Sequence, residues 1–347
     1  MACRRSTAAA STETLAGEPH VTFVLHDSDV ASLARLDPDR DWREFVTGER
    51  AWVLQTFLRL RAAGLDASLS ERLPRAGIAV FSASHRAKLA RGPVQRTDAF
   101  LLATRQDRRE TLFADAEVVQ NPAQANDATR LHVPHWPQPG LIPRDAARGD
   151  RLRRIEYKGF VGNLHPEFQD PAWPRFLARH GVEWVCDGKV YRQDTTDGLQ
   201  LQWNDYRDTD LVLAVRPMSA DLHLRKPATK LCNAWLAGVP AMVGPESAYR
   251  ALRRDASDFI EVSTRAEAEA AVLRLLEEPG LYARMRQRAA ERAVECTIAR
   301  VTERWLEVLD REVPQLAVTA LVRRRHRLPL LVRNVAGRAQ RLLRARR

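Results

Sequence analysis

Short apolar runs alternate with longer stretches of helical periodicity along the first third of the chain. Residues 21–25 form a β-rich run, and residues 49–63 carry apolar side chains at helical spacing up to Gly64, which is typical of an amphipathic helix. The further runs that we predict as strands are residues 65–69, 78–81, 99–103 and 117–120. This alternation predicts a parallel sheet covered by helices.

A proline-rich segment, residues 131–150, interrupts the alternation. Four prolines fall within ten of its residues, which excludes a regular element there, so we predict a linker between two domains that lines their cleft. His132 and His135 have a spacing that suits a metal ion. No cluster of Asp, Glu or Cys accompanies them, so we predict no metal site. For Trp136 we favour packing at the domain hinge over stacking on a sugar.

The alternation resumes in the second half of the chain. The predicted strands there are residues 155–161, 183–186, 211–215, 241–243 and 259–262. The predicted helices are residues 166–180, interrupted by two prolines, residues 266–278, and residues 281–313 as one long helix or two. A chain of 347 residues is long enough for two such α/β domains.

The most informative stretch is residues 226–252. Pro227 suits the first turn of a helix, and Gly238 suits its left-handed stop. A buried strand at 241–243 follows, and Ser247 is in place to cap a helix that runs to Leu252. Because helix N-termini carry unpaired N–H groups and partial positive charge, such a region suits a diphosphate.

Lysine usage points to the same stretch. The chain has five lysines against fifty arginines, and two of the five are Lys226 and Lys230. A compact ammonium group on a flexible stem suits a phosphate contact in a tight site. An ordinary helix–strand turn with solvated lysines explains the local pattern equally well.

Residues 233–240, Asn-Ala-Trp-Leu-Ala-Gly-Val-Pro, followed by a strand and Gly-Pro-Glu-Ser at 244–247, resemble the nucleotide-sugar-binding region of GT-B glycosyltransferases. The resemblance covers roughly residues 155–280 and is weaker over the N-terminal half. It implies an α/β fold of two Rossmann-like domains that face a cleft. It also implies a C-terminal helix that packs back on the first domain.

The chain departs from the commonest motif of that family. Many members carry Glu-Ala-x-Ala-x-Gly-x-Pro, whose Glu contacts the donor ribose, and Asn233 stands at that place here. Retaining members often have a second Glu eight residues earlier, where this chain has Arg225. The motif therefore leaves the stereochemical outcome of a transfer and the exact donor contacts open.

The resemblance implies a donor site on the second domain. Gly162 and Asn163 would meet the donor phosphates through backbone N–H groups, although a plain strand-to-helix turn explains this pair nearly as well. Arg216 follows a predicted strand, at the edge where open α/β sheets bind ligands. With Lys230 it would neutralise the departing diphosphate. The full set of predicted donor-binding residues is Gly162, Asn163, Arg216, Lys226, Thr229, Lys230, Asn233, Glu246 and Ser247.

A glycosyl transfer often needs a base for the acceptor hydroxyl. Asp27, after the first predicted strand, and His85, after the run at 78–81, are the candidates, and His26 is an alternative. Each is equally explained as a cap or turn residue. Asp37-Pro38-Asp39 lies in a predicted turn and does not have the form that would hold a metal-bound donor at a strand end. This favours a metal-independent reaction, and no cofactor is expected.

The net charge of +11 is concentrated at the C-terminus. Residues 321–347 hold ten arginines and no acid, which leaves 45 basic and 44 acidic residues elsewhere, so bulk charge argues against a nucleic-acid-binding domain. Leu331, Val335, Leu342 and Leu343 share a predicted apolar face, which is typical of a peripheral anchor on anionic lipid. The alternatives are a solvated tail and non-specific RNA binding.

Composition sets the remaining expectations. No apolar run approaches the length of a membrane span, and four well-separated cysteines indicate neither a disulfide framework nor a zinc site, as in a reducing cytoplasm. The expected organisation is a disordered leader (1–18), an N-terminal Rossmann-like acceptor domain (19–130), the linker (131–150), a C-terminal nucleotide-sugar-binding domain (151–280), helices returning to the first domain (281–318) and an Arg-rich amphipathic tail (319–347).

These observations predict a glycosyltransferase that moves a sugar from a nucleotide donor to a cell-surface glycan or lipid-linked acceptor. It would work in polysaccharide biosynthesis, in the cytoplasm or at the inner face of the plasma membrane. One alternative is a sugar-nucleotide epimerase of the same fold. The other is a non-catalytic protein with a degenerate sugar-nucleotide cleft, docked to membrane or RNA by its tail.

Overall fold

The computed structural model describes residues 20–26, 29–125, 128–186, 203–319, 326 and 328–344. The predicted leader at 1–18, the candidate base Asp27 and most of the segment 320–327 lie outside the described residues.

The N-domain is built on six parallel strands in the order β2-β1-β3-β4-β5-β6. The strands are β1 (Val21–Val24), β2 (Ala67–Ser70), β3 (Ile78–Ser82), β4 (Phe100–Thr104), β5 (Ala116–Val119) and β6 (Arg130–His132). The first five confirm the predicted strands. Strand β6 was not predicted and extends into the expected linker, because three residues with one buried side chain leave no apolar run to recognise.

Three helices belong to this sheet: α1 (Val30–Leu33), α2 (Gln55–Ala62) and α3 (Arg86–Ala90). The predicted helix at 49–63 is present, although its first turn, Arg50–Leu54, is wound as a π-helix before α2 begins. Gly64 follows with φ +97°, a left-handed conformation that favours glycine at this stop.

The C-domain is built on five parallel strands in the order β11-β10-β9-β7-β8. The strands are β7 (Arg154–Tyr157), β8 (Glu183–Cys186), β9 (Leu211–Ala214), β10 (Ala241–Val243) and β11 (Ile260–Glu261). The prediction that β7 runs to residue 161 is wrong, because a turn closed by the Tyr157 hydroxyl on the Phe160 carbonyl (2.9 Å) ends it. Gly162 and Asn163 therefore lie in a short 3-10 turn, Val161–Asn163, beyond the strand.

The C-domain helices are α4 (Ala172–Arg179), α5 (Thr229–Leu236), α6 (Ser247–Leu252), α7 (Arg265–Glu277) and α8 (Pro279–Ala293). Helix α5 begins two residues after Pro227, later than predicted. Gly238 confirms the left-handed stop with φ +69°. Ser247 is not the cap of α6 but its first residue, since Glu246 holds the cap position without a side-chain bond.

The chain then returns to the N-domain. Helix α9 (Ile298–Glu307) continues through a π-helical turn, Val308–Glu312, into α10 (Val313–Ala317). Trp305 is fully buried in the apolar core that also contains Phe23 and Val80 of β1 and β3. A last helix, α11 (Leu330–Arg344), lies against the N-domain beside α3.

Candidate functional site

A cleft of about 250 Å³ separates the carboxyl ends of the two sheets. One wall is the N-domain segment 45–52, another is the linker at 135–139, and the third comes from the C-domain. Four predicted donor-binding residues line this cleft, namely Asn163, Thr229, Lys230 and Asn233. The structure therefore brings together side chains that the sequence places up to seventy residues apart.

Lys230 lies in the first turn of α5, with its Nζ 5.5 Å from the ring centre of Tyr157. Within the described part of the chain its ammonium group has neither a hydrogen-bond acceptor nor an ion-pair partner. Burial, followed by the nearby charges of Arg216 and Lys226, lowers the pKa of Lys230 to about 7. An anion in the cleft would relieve this repulsion.

Gly159, in the turn after β7, lies close to the end of the Lys230 side chain. A Cβ atom at this position would lie 2.9 Å from Cε and 3.0 Å from Nζ of Lys230, and 3.1 Å from the hydroxyl of Tyr157. A side chain at this position would therefore displace the end of the lysine or the tyrosine hydroxyl, and glycine lets the turn lie against both. Gly159 was not among the predicted site residues, although the Lys-Gly-Phe that follows β7 was a usable signal.

Arg216 follows β9, and its guanidinium donates to both carboxylate oxygens of Glu246, at 2.9 and 3.0 Å. Glu246 is fully buried, so it needs this cation. These two predicted donor residues therefore form an ion pair with each other, and neither lines the cleft. The excess positive charge of the cluster comes from Lys230.

Asn233 and Thr229 occupy different situations on α5. The Asn233 side-chain oxygen accepts from the backbone N–H of Gln138 at 3.0 Å, which holds the linker against the C-domain. This differs from the ribose contact that the resemblance implies for this position. The Thr229 hydroxyl is buried against the cleft without a hydrogen-bond partner in the described residues.

Lys226, Ser247 and Gly162 do not line the cleft. The Lys226 ammonium donates to Asp107 of the N-domain at 2.9 Å, and the Asn121 side-chain amide donates to the Ser247 hydroxyl at 2.8 Å. These two residues therefore join the domains. Gly162 is exposed, with nothing within 4 Å of where a Cβ would be.

A second cluster lies at the carboxyl edge of the N-domain sheet. His85 Nε2 is 2.8 Å from a carboxylate oxygen of Glu49, whose other oxygen accepts from the backbone N–H of His26 at 3.2 Å. The two imidazole rings lie 4.5 Å apart. Burial, and then the charges of His85 and Lys88, lower the pKa of His26 to about 4, so this ring is neutral at pH 7.

Gln106 connects this cluster to the cleft. Its amide donates to the carbonyl of Gly48, which lines the cleft, at 3.2 Å and to the hydroxyl of Ser82 at 2.9 Å. Glu49 follows Gly48 directly, so the Glu49–His85 pair lies next to the cleft wall. His85 and His26 were candidates from the sequence, but Glu49 was not, because it is the first residue of a predicted helix and no local pattern links it to His85.

The remaining candidates have structural contacts. Asp210, which directly precedes β9, is fully buried and bonded to Arg144 and Arg148, so it is a structural residue. His135 packs edge-on against Trp52, and its Nδ1 lies 2.6 Å from the Trp136 carbonyl. Among the described residues, no three His, Cys, Asp or Glu side chains are grouped to hold a metal ion. The same residues include no helix long and apolar enough to cross a bilayer.

Two parallel α/β domains, a cleft between their carboxyl edges and a helix that returns to the first domain define the GT-B fold. Sucrose-phosphate synthase from Thermosynechococcus elongatus has this fold, with a TM-score of 0.57 and 11% identity over 86% of this chain and 100% of that one. The glycosyltransferase AviGT4 of avilamycin A biosynthesis matches 86% of this chain and 98% of its own, with a TM-score of 0.48 and 13% identity.

TarM matches 74% of this chain with a TM-score of 0.49 and 9% identity, and the chain spans 58% of its length. No protein-family model and no curated protein matches the sequence.

Proposed function

We propose that this protein is a GT-B glycosyltransferase that takes a sugar from a nucleoside-diphosphate donor. The observation that carries the proposal is the Lys230 ammonium, which lines the interdomain cleft with no hydrogen-bond or ion-pair partner among the described residues, while burial and Arg216 oppose its charge. A diphosphate against Lys230 and the backbone of Gly159 would give this ammonium group a charged hydrogen-bond partner.

The same arrangement suits the chemistry of transfer. As the bond from the sugar to the donor phosphate breaks, negative charge grows on the departing diphosphate, and Lys230 stabilises it. The Glu49–His85 pair has the form of a general base held by a carboxylate, ready to take the proton of the acceptor hydroxyl. Since side-chain cations serve the leaving group, we propose a reaction that is independent of a metal.

The acceptor in this proposal is a cell-surface glycan or a lipid-linked precursor. This places the protein in polysaccharide biosynthesis on the cytoplasmic side of the membrane. The balance of charge supports this placement, because the arginines concentrate in residues 321–347 while the rest of the chain is near neutral.

The first experiment measures thermal stability with a panel of nucleoside diphosphates and nucleotide sugars, without added metal. Ligand at a hundredfold excess over its dissociation constant stabilises the native state by about 2.7 kcal/mol. Lys230→Met should bind roughly 10- to 150-fold more weakly, because it loses a charge-assisted contact of about 1.5–3 kcal/mol. Arg300→Met is the matched control, since Arg300 is an exposed cation paired with Glu303 on α9.

Absence of stabilisation by every nucleotide would refute the donor site. If one nucleotide sugar binds, product analysis separates the enzyme classes. A transferase releases the nucleoside diphosphate in an acceptor-dependent way, an epimerase changes the sugar without requiring an acceptor, and a binding protein leaves the nucleotide sugar intact.

A further inference from the structure

Helix α11 is bonded to the N-domain along one face. The backbone N–H of Leu330 donates to the Gln95 carbonyl at 2.8 Å, and the Leu330 side chain is fully buried. Arg333 is also buried, with its guanidinium 3.8 Å from Asp115 and bonded to the Leu328 carbonyl at 3.1 Å. The predicted basic tail is therefore docked on the domain over these residues.

The opposite face of α11 is apolar and exposed. Leu331, Val335 and Leu342 are spaced by four and seven residues, so they form one row, and they are 49%, 60% and 65% exposed. Val332 and Leu343 lie beside this row and are exposed as well. These are the apolar positions that the sequence predicted, together with Val332.

Positive charge accompanies this row. Arg338 and Arg341 are exposed on the same helix, and the chain has no acidic residue after Glu312. An exposed apolar row flanked by arginines is the pattern of a helix that lies in the interface of an anionic bilayer. A nucleic acid would bind the arginines but would leave the leucines and valines in water, so the apolar row favours lipid.

A cavity of about 650 Å³ in the N-domain lies beside the start of α11. Leu73 and Leu89 line this cavity and belong to the same apolar cluster as Leu330. Val94 also lines it and directly precedes Gln95, which accepts the Leu330 N–H. The cavity wall and the docked face of α11 are therefore one packed unit.

The other end of this cavity lies next to His85, the proposed general base. His26 lines the cavity, and its ring lies 4.5 Å from that of His85. Arg72 and Lys88 add two cations to the lining and Glu71 adds one acid, which leaves a positive balance for an anionic headgroup.

We propose that α11 lies on an anionic bilayer and thereby holds the cavity at the membrane surface, where it receives an acceptor carried by lipid. The proposed docking of α11 on a bilayer is independent of catalysis. The proposed receipt of an acceptor by the cavity rests on the proposed glycosyltransferase function.

Docking is tested by flotation of the full chain with phosphatidylcholine vesicles that contain or lack 30% phosphatidylglycerol. We expect binding only to the anionic vesicles, weakening as salt rises. The variant Leu331→Ser/Val335→Ser/Leu342→Ser should partition at least tenfold less. The control Val294→Ser/Ile298→Ser changes exposed apolar residues away from α11 and should bind normally. Equal binding by the triple variant, or binding to RNA but to neither vesicle, would overturn the proposal.

The position of the cavity is tested with a fluorescent label in a background without native cysteines. A label at Arg91→Cys, next to the cavity residue Gly92, should be quenched by spin-labelled lipid in the anionic vesicles. A label at Arg284→Cys on α8 of the C-domain should not. Equal quenching at both positions would show that the cavity is not held at the bilayer.

Failure of the donor site remains distinguishable from failure of docking. Nucleotide binding is measured in solution without vesicles, and the triple variant should show the same nucleotide-induced stabilisation as the unchanged protein. Loss of vesicle binding with intact nucleotide binding therefore reports on α11 alone.

Discussion

Burial and two neighbouring cations, Arg216 and Lys226, disfavour the positive charge of the Lys230 ammonium. With a pKa of about 7 in the free protein, much of the lysine is neutral just above neutral pH, and an anionic ligand must bring a proton with it. Binding below pH 7 requires no uptake of a proton by this group. Above pH 7, the uptake weakens binding progressively.

We therefore expect the dissociation constant for a nucleoside diphosphate to rise about tenfold per pH unit between pH 7.5 and 9, the slope for one bound proton. Titration calorimetry in buffers of different ionisation enthalpy would measure both the affinity and the proton uptake. Lys230→Met should bind weakly with no such slope. A constant affinity of the unchanged protein across this range would contradict the role of Lys230.

Gly159 permits a second prediction at this scale. Gly159→Ala should weaken nucleotide binding by about tenfold or more, because the added methyl group forces the Lys230 side chain away from the turn. Gly280→Ala is the control, since its nearest neighbour is the flexible end of Arg284 at 3.5 Å. Equal affinities of the two variants, measured by thermal stability with nucleotide, would show that the turn tolerates a side chain.

The Glu49–His85 pair permits a third prediction, which is about catalysis. His85→Asn should lower kcat by about 10²-fold or more, as loss of a general base does, with the donor dissociation constant unchanged. His180→Asn changes an exposed histidine of the C-domain and should leave both values unchanged. A loss of donor affinity with normal kcat would assign His85 to binding instead.

At the scale of elements, prediction from sequence succeeded where a pattern is local and continuous. Strands β8 and β10 match their predicted bounds, since the apolar residues of each lie in a short run next to turn-forming residues in the sequence. Strand β6 was missed because pairing with β5, and not its own composition, makes Arg130–His132 a strand.

The residues of the candidate site divide in the same way, into those marked by a local pattern and those defined by distant contacts. Lys230 and Arg216 were predicted because each lies at a recognisable element boundary. The Lys226–Asp107 and Asn121–Ser247 bonds join residues separated by 119 and 126 positions, so no local pattern encodes them. Glu49 gains its role from a distant neighbour and was missed for the same reason, whereas Gly159 was missed because the strand was predicted to run past it to residue 161.

Helix α9 carries a prediction about stability. Trp305→Ala should lower the free energy of unfolding of the N-domain by about 3–5 kcal/mol, the usual cost of deleting a buried Trp side chain. Urea unfolding followed by circular dichroism would measure this, with the exposed Arg300→Ala as control. A loss below about 1 kcal/mol would show that the returning helix contributes little to that core.

For the whole molecule, acid sensitivity follows from three partly buried histidines. Burial is the largest cause that lowers the pKa of His26, His132 and His135, each to about 4. Between pH 6.5 and 4 the unfolded chain binds protons at these rings while the native protein does not. Their contribution to stability is therefore full above pH 6.5 and is lost as the pH falls toward 4.

We expect the urea midpoint to fall steadily between pH 6.5 and 4.5, and less steeply in His132→Gln, if that variant folds. His180→Gln, at an exposed position, should follow the unchanged protein. A midpoint independent of pH in this window would mean that the three rings are not kept neutral by the fold.

The return of α9 to the N-domain also sets an order of events during synthesis on the ribosome. The six-stranded sheet emerges first, but Val301, Trp305 and Val308 complete its core only after the entire C-domain has been made. At about 5–20 residues per second, the intervening stretch takes roughly ten to thirty seconds to translate. During that time the apolar surface that Trp305 will cover is exposed, so the nascent N-domain is a natural client for ribosome-associated chaperones.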